Sequence, residues 1–463
     1  MLPSLLAHSN QSAVPIHFVD EANWPDVAAG LPALARAFAA AQGFKPQPGK
    51  ALVLPAADGG LGAVLFGLDR PDARRPDPFL AGALAGLLPA GTYAFANAPE
   101  PIELAVLAFV LGGYSFDRYR TAKRGEISLV APPGVDIAEV GRQVDAVVLA
   151  RDLINTPAND LGPDGLERTV RLMAERHGAS FGCIVGDGLL EAKFPMIHAV
   201  GRASATAPRL IDMAWGPTDA PKVTLVGKGV SFDTGGLDIK PSAAMLLMKK
   251  DMGGAAAALA AADMIMSAGL HVRLRVLIPA VENAISGSAF RPGDVLPSHK
   301  GLTVEIGNTD AEGRLILADA LSLADEEAPE LLVDFATLTG AARTALGPEL
   351  PPLYSRDDAL AADLARLGER INDPVWRMPL WPPYEKMLDS KIADVNHVSS
   401  GPFAGSITAA LFLSRFVSRA RSYAHLDIYG WSPSARPGRP EGGEAQGARL
   451  IYALLRERYP AHG

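Results

Sequence analysis

The sequence predicts an α/β protein with two domains. The larger, carboxyl-terminal one has a mixed, mostly parallel central sheet flanked by helices. The smaller is an amino-terminal α/β domain. Three observations carry this reading. A chain of 463 residues is too long for one ordinary core. Beyond residue 160, short apolar runs alternate with helix-type runs at βαβ spacing. Between the halves, a helical stretch breaks at ARDLINTPANDLGP, residues 150–163, where Asn, Thr, Pro and Gly stop it.

Taken in order, residues 1–130 form the accessory domain. An Ala-rich helix is expected over 24–42 and short strands over 51–55 and 62–67. Proline and glycine punctuate 70–80, and no cluster of acids, bases or metal ligands stands out. Residues 131–160 are a linker helix and connection. Within it, Ile137, Val140, Val144, Val147 and Leu149 recur on one face of a helix over 136–155. Residues 161–463 form the second domain. Strands are expected at 223–226, 271–280, 331–335 and 424–429, with helices at 255–267, 315–325, 406–419 and 447–459. Ligands on such sheets sit at the carboxyl ends of the strands.

Composition excludes several classes. Apolar residues make up 48%, which argues against disorder. The 43 basic and 51 acidic residues leave −8 with no long run of one sign, so a non-specific grip on a phosphate backbone lacks its basic cluster. The single Cys183, in the apolar run FGCIVG, permits no intramolecular disulfide. It reads as a small buried hydrophobe and fits a reducing, cytoplasmic setting. The start has no basic region before its apolar run, which is shorter than the roughly 7–15 residues of a secretion signal. Residues 253–270, the most apolar helix candidate, carry Asp263 and read as a buried core helix rather than a membrane span. Cytoplasmic localisation is the resulting expectation.

Two stretches concentrate the chemistry. Residues 227–254 read GKGVSFDTGGLDIKPSAAMLLMKKDMGG, and 308–315 read NTDAEGRL. They hold Lys228, Asp233, Lys240, Asp251, Asp310, Glu312 and Arg314 in glycine-rich or turn-like sequence. The lysine flanked by Gly227 and Gly229 is not a phosphate loop, since GxxxxGK[ST] is absent. Phe232 stands where a dinucleotide fingerprint needs its last glycine. Asp233 before Thr234-Gly235-Gly236 is either a turn residue or a ligand. Asp251 before an Ala-rich helix is either an N-cap or a ligand. Asp310, Glu312 and Arg314 are spaced by two, so extended backbone would project all three to one side. Two carboxylates there would repel and raise each other's pKa, and a divalent cation would relieve them. The nine histidines include no two within four residues, so HExxH is absent, and no Gly-x-Ser-x-Gly occurs. The set suggests a metal site of oxygen ligands and an amine.

These blocks resemble the leucyl (cytosol) aminopeptidase family of dinuclear-metal exopeptidases. The resemblance continues through ARDLINTP at 150–157, DFATLTGA at 334–341, GPFAGSITAA at 401–410 and AHLDIYG at 424–430. The first 130 residues resemble the family only loosely, and are shorter than its usual amino-terminal domain. The resemblance implies two divalent cations per subunit, zinc or manganese, with magnesium or cobalt as alternatives. Lys228, Asp233, Asp251 and Glu312 would hold the tighter one. Asp233, Asp310 and Glu312 would hold the looser one. Lys240 would stabilise the oxyanion, and Arg314 would hold a bicarbonate acting as general base. Met248, Asp251, Thr337, Leu338, Gly340 and Tyr429 would contact substrate. Tyr429 stands where the family more often has alanine, which predicts a departure from simple leucine preference. Short peptides, a homohexamer, and no membrane or nucleic-acid partner complete what the resemblance implies. The alternatives are a DNA-binding or regulatory protein of the same fold and an inactive structural paralogue. A two-metal phosphoesterase is disfavoured because it would supply histidines.

Overall fold

The computed structural model describes residues 2–8, 12–70, 76–120 and 125–461. The chain forms two compact units. One comprises Met1–Val148 with Pro433–Glu441, the other Leu149–Ser432 with Gly442–Gly463.

The first unit holds six strands: β1 (Ser4–Leu6), β2 (Val14–Val19), β3 (Ala51–Pro55), β4 (Leu61–Gly67), β5 (Gly91–Asn97) and β6 (Ile127–Val130). Their order is β1-β6-β5-β2-β4-β3, and only the β3–β4 pair is antiparallel. The stretch expected as one helix over 24–42 is two, Trp24–Gly30 and Ala33–Ala41. Pro32 forces the break. It disfavours helical backbone in the residue before it, and Leu31 is extended at φ −71°, ψ 145°. The segment Pro433–Glu441 returns to this unit, where Arg439 stacks over Phe79 at 4.4 Å.

The second unit is built on β7 (Ser180–Val185), β8 (Arg209–Trp215), β9 (Lys222–Gly227), β10 (Gly229–Asp233) and β11 (Arg273–Asn283). A small side sheet joins β12 (Val295–Pro297), β13 (Thr303–Glu305) and a later strand. Then come β14 (Leu331–Ala336), β15 (Pro352–Tyr354), β16 (Trp376–Arg377), β17 (Val395–Asn396), which completes the side sheet, and β18 (Tyr423–Asp427). The main sheet runs β16-β15-β18-β14-β9-β11-β8-β7, with β10 also paired to β11. The four central strands β18, β14, β9 and β11 are mutually parallel, while β8 and β15 join antiparallel.

All six residues of β14, LLVDFA, are buried, as befits a parallel strand covered on both faces. The Ala-rich helix Gly253–Ser267 is buried at every residue but its last. The strand expected at 271–280 continues to Asn283, and the helix expected over 406–419 ends at Ser414. Beyond that end, the Asp325 carboxylate accepts from the backbone N–H groups of Ser418, Arg419 and Ala420. Because β9, β14 and β18 are adjacent and parallel, their carboxyl ends bring Lys228, Thr337 and Ile428 to one edge.

Candidate active site

That edge opens into a cavity of about 380 Å³. Lys228, Asp233, Lys240, Asp251, Asp310 and Glu312 line it, together with Met248, Thr337, Leu338, Gly340 and Tyr429. Every sequence-predicted site residue except Arg314 therefore reaches one space.

Lys228 follows β9 and is buried. Its Nζ donates to both carboxylate oxygens of Asp251 at 2.8 Å and to the Thr337 carbonyl at 3.0 Å, and lies 3.0 Å from Glu312 Oε1. Asp251 does not cap the helix that follows. It lies in the 3-10 turn Met248–Met252, and its Oδ1 accepts from the Thr337 hydroxyl at 2.9 Å. Asp233 ends β10. One oxygen accepts from the Gly235 N–H and from Asn283 Nδ2, both at 2.8 Å, so its turn role and its place in the cavity coexist. Its other oxygen lies 2.8 Å from Lys240 Nζ, and that ammonium also pairs with Asp310. Gly235, at φ +88°, supplies the left-handed backbone this turn requires.

Asp310, Glu312 and Arg314 are not extended as their spacing suggested. Asp310 sits in the turn Thr309–Ala311, and Glu312 opens the helix Glu312–Glu326. Residues two apart on a helix point to nearly opposite sides. Glu312 therefore faces Lys228, whereas Arg314 is buried away from the cavity lining and donates through Nη1 to the His397 carbonyl at 2.8 Å. Its Nε is buried without a hydrogen-bond partner.

The electrostatics follow from crowding. Burial, reinforced by Glu312 and Asp251, raises the Asp233 pKa far above the usual carboxylate range. Burial also raises Asp310, and lifts Asp251 to about 6 against the opposing pull of Lys228. Burial would raise Glu312 as well, but Lys228 and Lys240 hold it low. Desolvation opposes charge on both lysines, yet the surrounding carboxylates keep both firmly protonated. Burial lowers Arg314 to about 10.

A metal fits this donor set on structural grounds. Asp233, Asp310 and Glu312 each bring one oxygen within 4.8 Å of the others. Asp310 Oδ1 and Glu312 Oε1 are buried without a hydrogen-bond partner, although each has a lysine ammonium within ion-pair distance. Four carboxylates with hard oxygen donors and an adjacent amine suit dications such as Zn²⁺, Mn²⁺, Mg²⁺ or Co²⁺.

Residues 148–452 match the pattern described as the cytosol aminopeptidase family, catalytic domain, and residues 14–132 match the M17 aminopeptidase amino-terminal domain. The chain belongs to the cytosol aminopeptidase family. A probable cytosol aminopeptidase of Syntrophotalea carbinolica is 41% identical over 376 residues, 77% of this chain and 75% of its own length. One from Roseiflexus castenholzii is 42% identical over 378 residues, 78% and 77% of the two chains. Among solved structures, a cytosol aminopeptidase from Coxiella burnetii superimposes with a TM-score of 0.93 at 44% identity, covering 98% of this chain and 99% of its own. A bottromycin maturation enzyme in complex with Mn gives a TM-score of 0.87 at 34% identity, covering 97% and 100%. No helix among the described residues is long and apolar enough to cross a membrane.

Within this family's fold, several residues that position the site escaped the sequence reading. Asn283 ends β11 and holds both Asp233 and the Thr309 carbonyl. Asp427 ends β18 and binds the loop after β14. It accepts from the N–H groups of Leu338 at 3.0 Å and Thr339 at 3.1 Å, and from the hydroxyls of Thr339 at 2.6 Å and Ser406 at 3.0 Å. Neither carried a local signal: β11 already holds Arg273, Arg275 and Glu282, and β18 holds His425, so one more polar residue at the strand end did not stand out. Lys250 and Arg343 also line the cavity. Burial lowers the Lys250 pKa to about 7.

Proposed function

We propose that this chain is a two-metal aminopeptidase that removes the amino-terminal residue from short peptides. The observation that carries the reading is the meeting of Asp233, Asp310 and Glu312 within 4.8 Å, beside Lys228 and Asp251, at the carboxyl ends of parallel strands. Lys228, Asp233, Asp251 and Glu312 would hold one cation, and Asp233, Asp310 and Glu312 the other. When bound, such cations polarise the scissile carbonyl and lower the pKa of water. They would also cancel the carboxylate field that keeps Lys228 protonated, freeing its amine to ligate.

The chain's own residues do the rest. Asp251, buried beside the cavity, presents a carboxylate to the substrate's α-amine, which restricts cleavage to the first residue. The Leu338 carbonyl, on the loop fixed by Asp427, orients the peptide. Lys240, its ammonium charged beside Asp233 and Asp310, donates to the oxyanion that forms on the substrate. Arg314 would hold a bicarbonate, a borrowed base, through donors such as its partnerless Nε. Met248, Thr337, Gly340 and Tyr429 shape the pocket for the first side chain, and Tyr429 moves it away from simple leucine preference. We further propose a hexameric assembly in the cytoplasm.

The test is turnover of a panel of aminoacyl p-nitroanilides and dipeptides after reconstitution with each metal. Lys240→Ala should lower kcat by about 100- to 1000-fold, the scale of losing one oxyanion donor. Wild-type turnover by Lys240→Ala or Asp310→Ala would sink the assignment.

A further inference from the structure

We propose that the pocket for the amino-terminal side chain selects a carboxylate-bearing residue, aspartate or glutamate, through Arg343 and Lys250. This deepens the aminopeptidase reading above and rests on it. Both cations line the same cavity as Met248, Gly340 and Tyr429. Lys250 is only 5% exposed. Its ammonium donates to the Tyr429 carbonyl and lies 3.9 Å from the centre of the Tyr429 ring. Arg343 approaches the same tyrosine from elsewhere. Its guanidinium carbon is 5.4 Å from the ring centre, and Nη1 is 3.5 Å from the hydroxyl.

The contrast with the other two lysines is what points to a ligand. Lys228 and Lys240 each pair with carboxylates inside the cavity. Among the described residues, neither Lys250 nor Arg343 has a carboxylate within ion-pair distance. Lys250 is buried with no carboxylate in contact, which is costly while it is charged, and a substrate carboxylate would supply that partner. Tyr429 gives both cations a π face but no negative charge. A leucine side chain pressed against this wall would desolvate two cations and pair neither. A carboxylate would accept the forked donors of Arg343 and the remaining N–H groups of Lys250. Arg343 is charged at every assay pH, and Lys250 offers N–H donors whether or not it is protonated.

The experiment compares Glu-, Asp-, Leu- and Ala-p-nitroanilide on the manganese-loaded full chain. kcat/KM for the better acidic substrate should exceed that for Leu by about 10-fold or more, well below the roughly 10⁴-fold of a fully buried hydrogen-bonding subsite because Arg343 is exposed. Raising the salt should narrow the ratio, because Arg343 is exposed. Arg343→Gln, on the exposed face of a short helix, should collapse the acid-to-leucine ratio, chiefly through KM. Lys250→Met should do the same if it folds, as its melting temperature would report. Leu cleaved as well as either acid by the wild type overturns the inference, and so does an unchanged ratio in Arg343→Gln. Turnover of Leu or Ala without the acids overturns this inference alone. Turnover of none of the four overturns the aminopeptidase reading as well.

Discussion

A methyl group placed on Gly313 would stand 2.2 Å from Lys228 Cε, inside any permitted contact. The first turn of the helix Glu312–Glu326 thus lies directly against the lysine stem, and glycine is the residue that lets it. Gly313→Ala must push Lys228 off Asp251 and Glu312. Misplacement of a catalytic group by about 1 Å costs about 100-fold in rate. We expect kcat/KM on an aminoacyl p-nitroanilide to fall by at least that factor, with reduced retention of metal measured by elemental analysis. A variant with normal kinetics and metal content would show that the Lys228 stem yields to the methyl without leaving its partners.

Removing metal should have two effects with one cause. Asp233, Asp251, Asp310 and Glu312 crowd one buried space, and the pKa values of three of them are raised. Dialysis against a chelator should abolish turnover, and Mn²⁺ or Zn²⁺ should restore it. Cation binding to the folded state alone also adds stability, about 2.7 kcal/mol at a hundredfold excess over Kd. A melting temperature that rises with metal in the wild type, but not in Asp233→Asn, is the expected result. A chelated enzyme that keeps its rate and its melting curve would refute the metal assignment.

Asp427 should matter without touching the reaction. Its carboxylate gathers four donors, two of them backbone N–H groups of the loop Leu338–Thr339 that forms one wall of the cavity. Asp427→Asn replaces one acceptor oxygen by an amide that donates, so about two of these bonds are lost. At about 1 kcal/mol each, the loss in urea unfolding should be near 2 kcal/mol. The loosened wall should raise KM by several-fold. A change in stability with KM unmoved would make Asp427 a purely structural residue.

What could be read from the sequence, and what could not, follows from distance along the chain. Lys228, Lys240 and the four carboxylates stood out because charged residues in glycine-rich turns after apolar strands have few structural uses. The parallel core was legible from runs such as LLVDFA, which need burial on both faces. The extended spacing expected of Asp310, Glu312 and Arg314 fails because Glu312 begins a helix, and the period of two no longer applies. The expected helix over 24–42 fails at Pro32, a local signal outweighed by alanine content. Asn283, Asp427, Lys250 and Arg343 carry no local signature. Their roles arise only when the ends of β9, β11, β14 and β18 meet. The excursion Pro433–Glu441 into the first unit likewise depends on a contact some 350 residues away along the chain.

His397, one of the histidines with no ligand spacing, should set an acid limit on stability. It is fully buried, and burial with the neighbouring Arg314 lowers its pKa to about 4. The neutral ring ties down the turn that carries Asp310. The Gly307 N–H donates to Nδ1 at 3.1 Å, and Nε2 lies 2.9 Å from the Asn308 carbonyl, to which it donates. Between the unfolded value of 6.5 and the folded value of about 4, the unfolded chain binds a proton that the folded chain refuses. Stability is therefore fully present above pH 6.5 and declines as pH falls through that window, by on the order of 3 kcal/mol at its lower end. His397→Gln keeps a donor towards Asn308 and removes the titration. Melting curves from pH 7.5 to 4.5 should show the wild type losing stability faster than the variant below pH 6.5. Parallel curves would mean that His397 does not stay neutral in the folded protein.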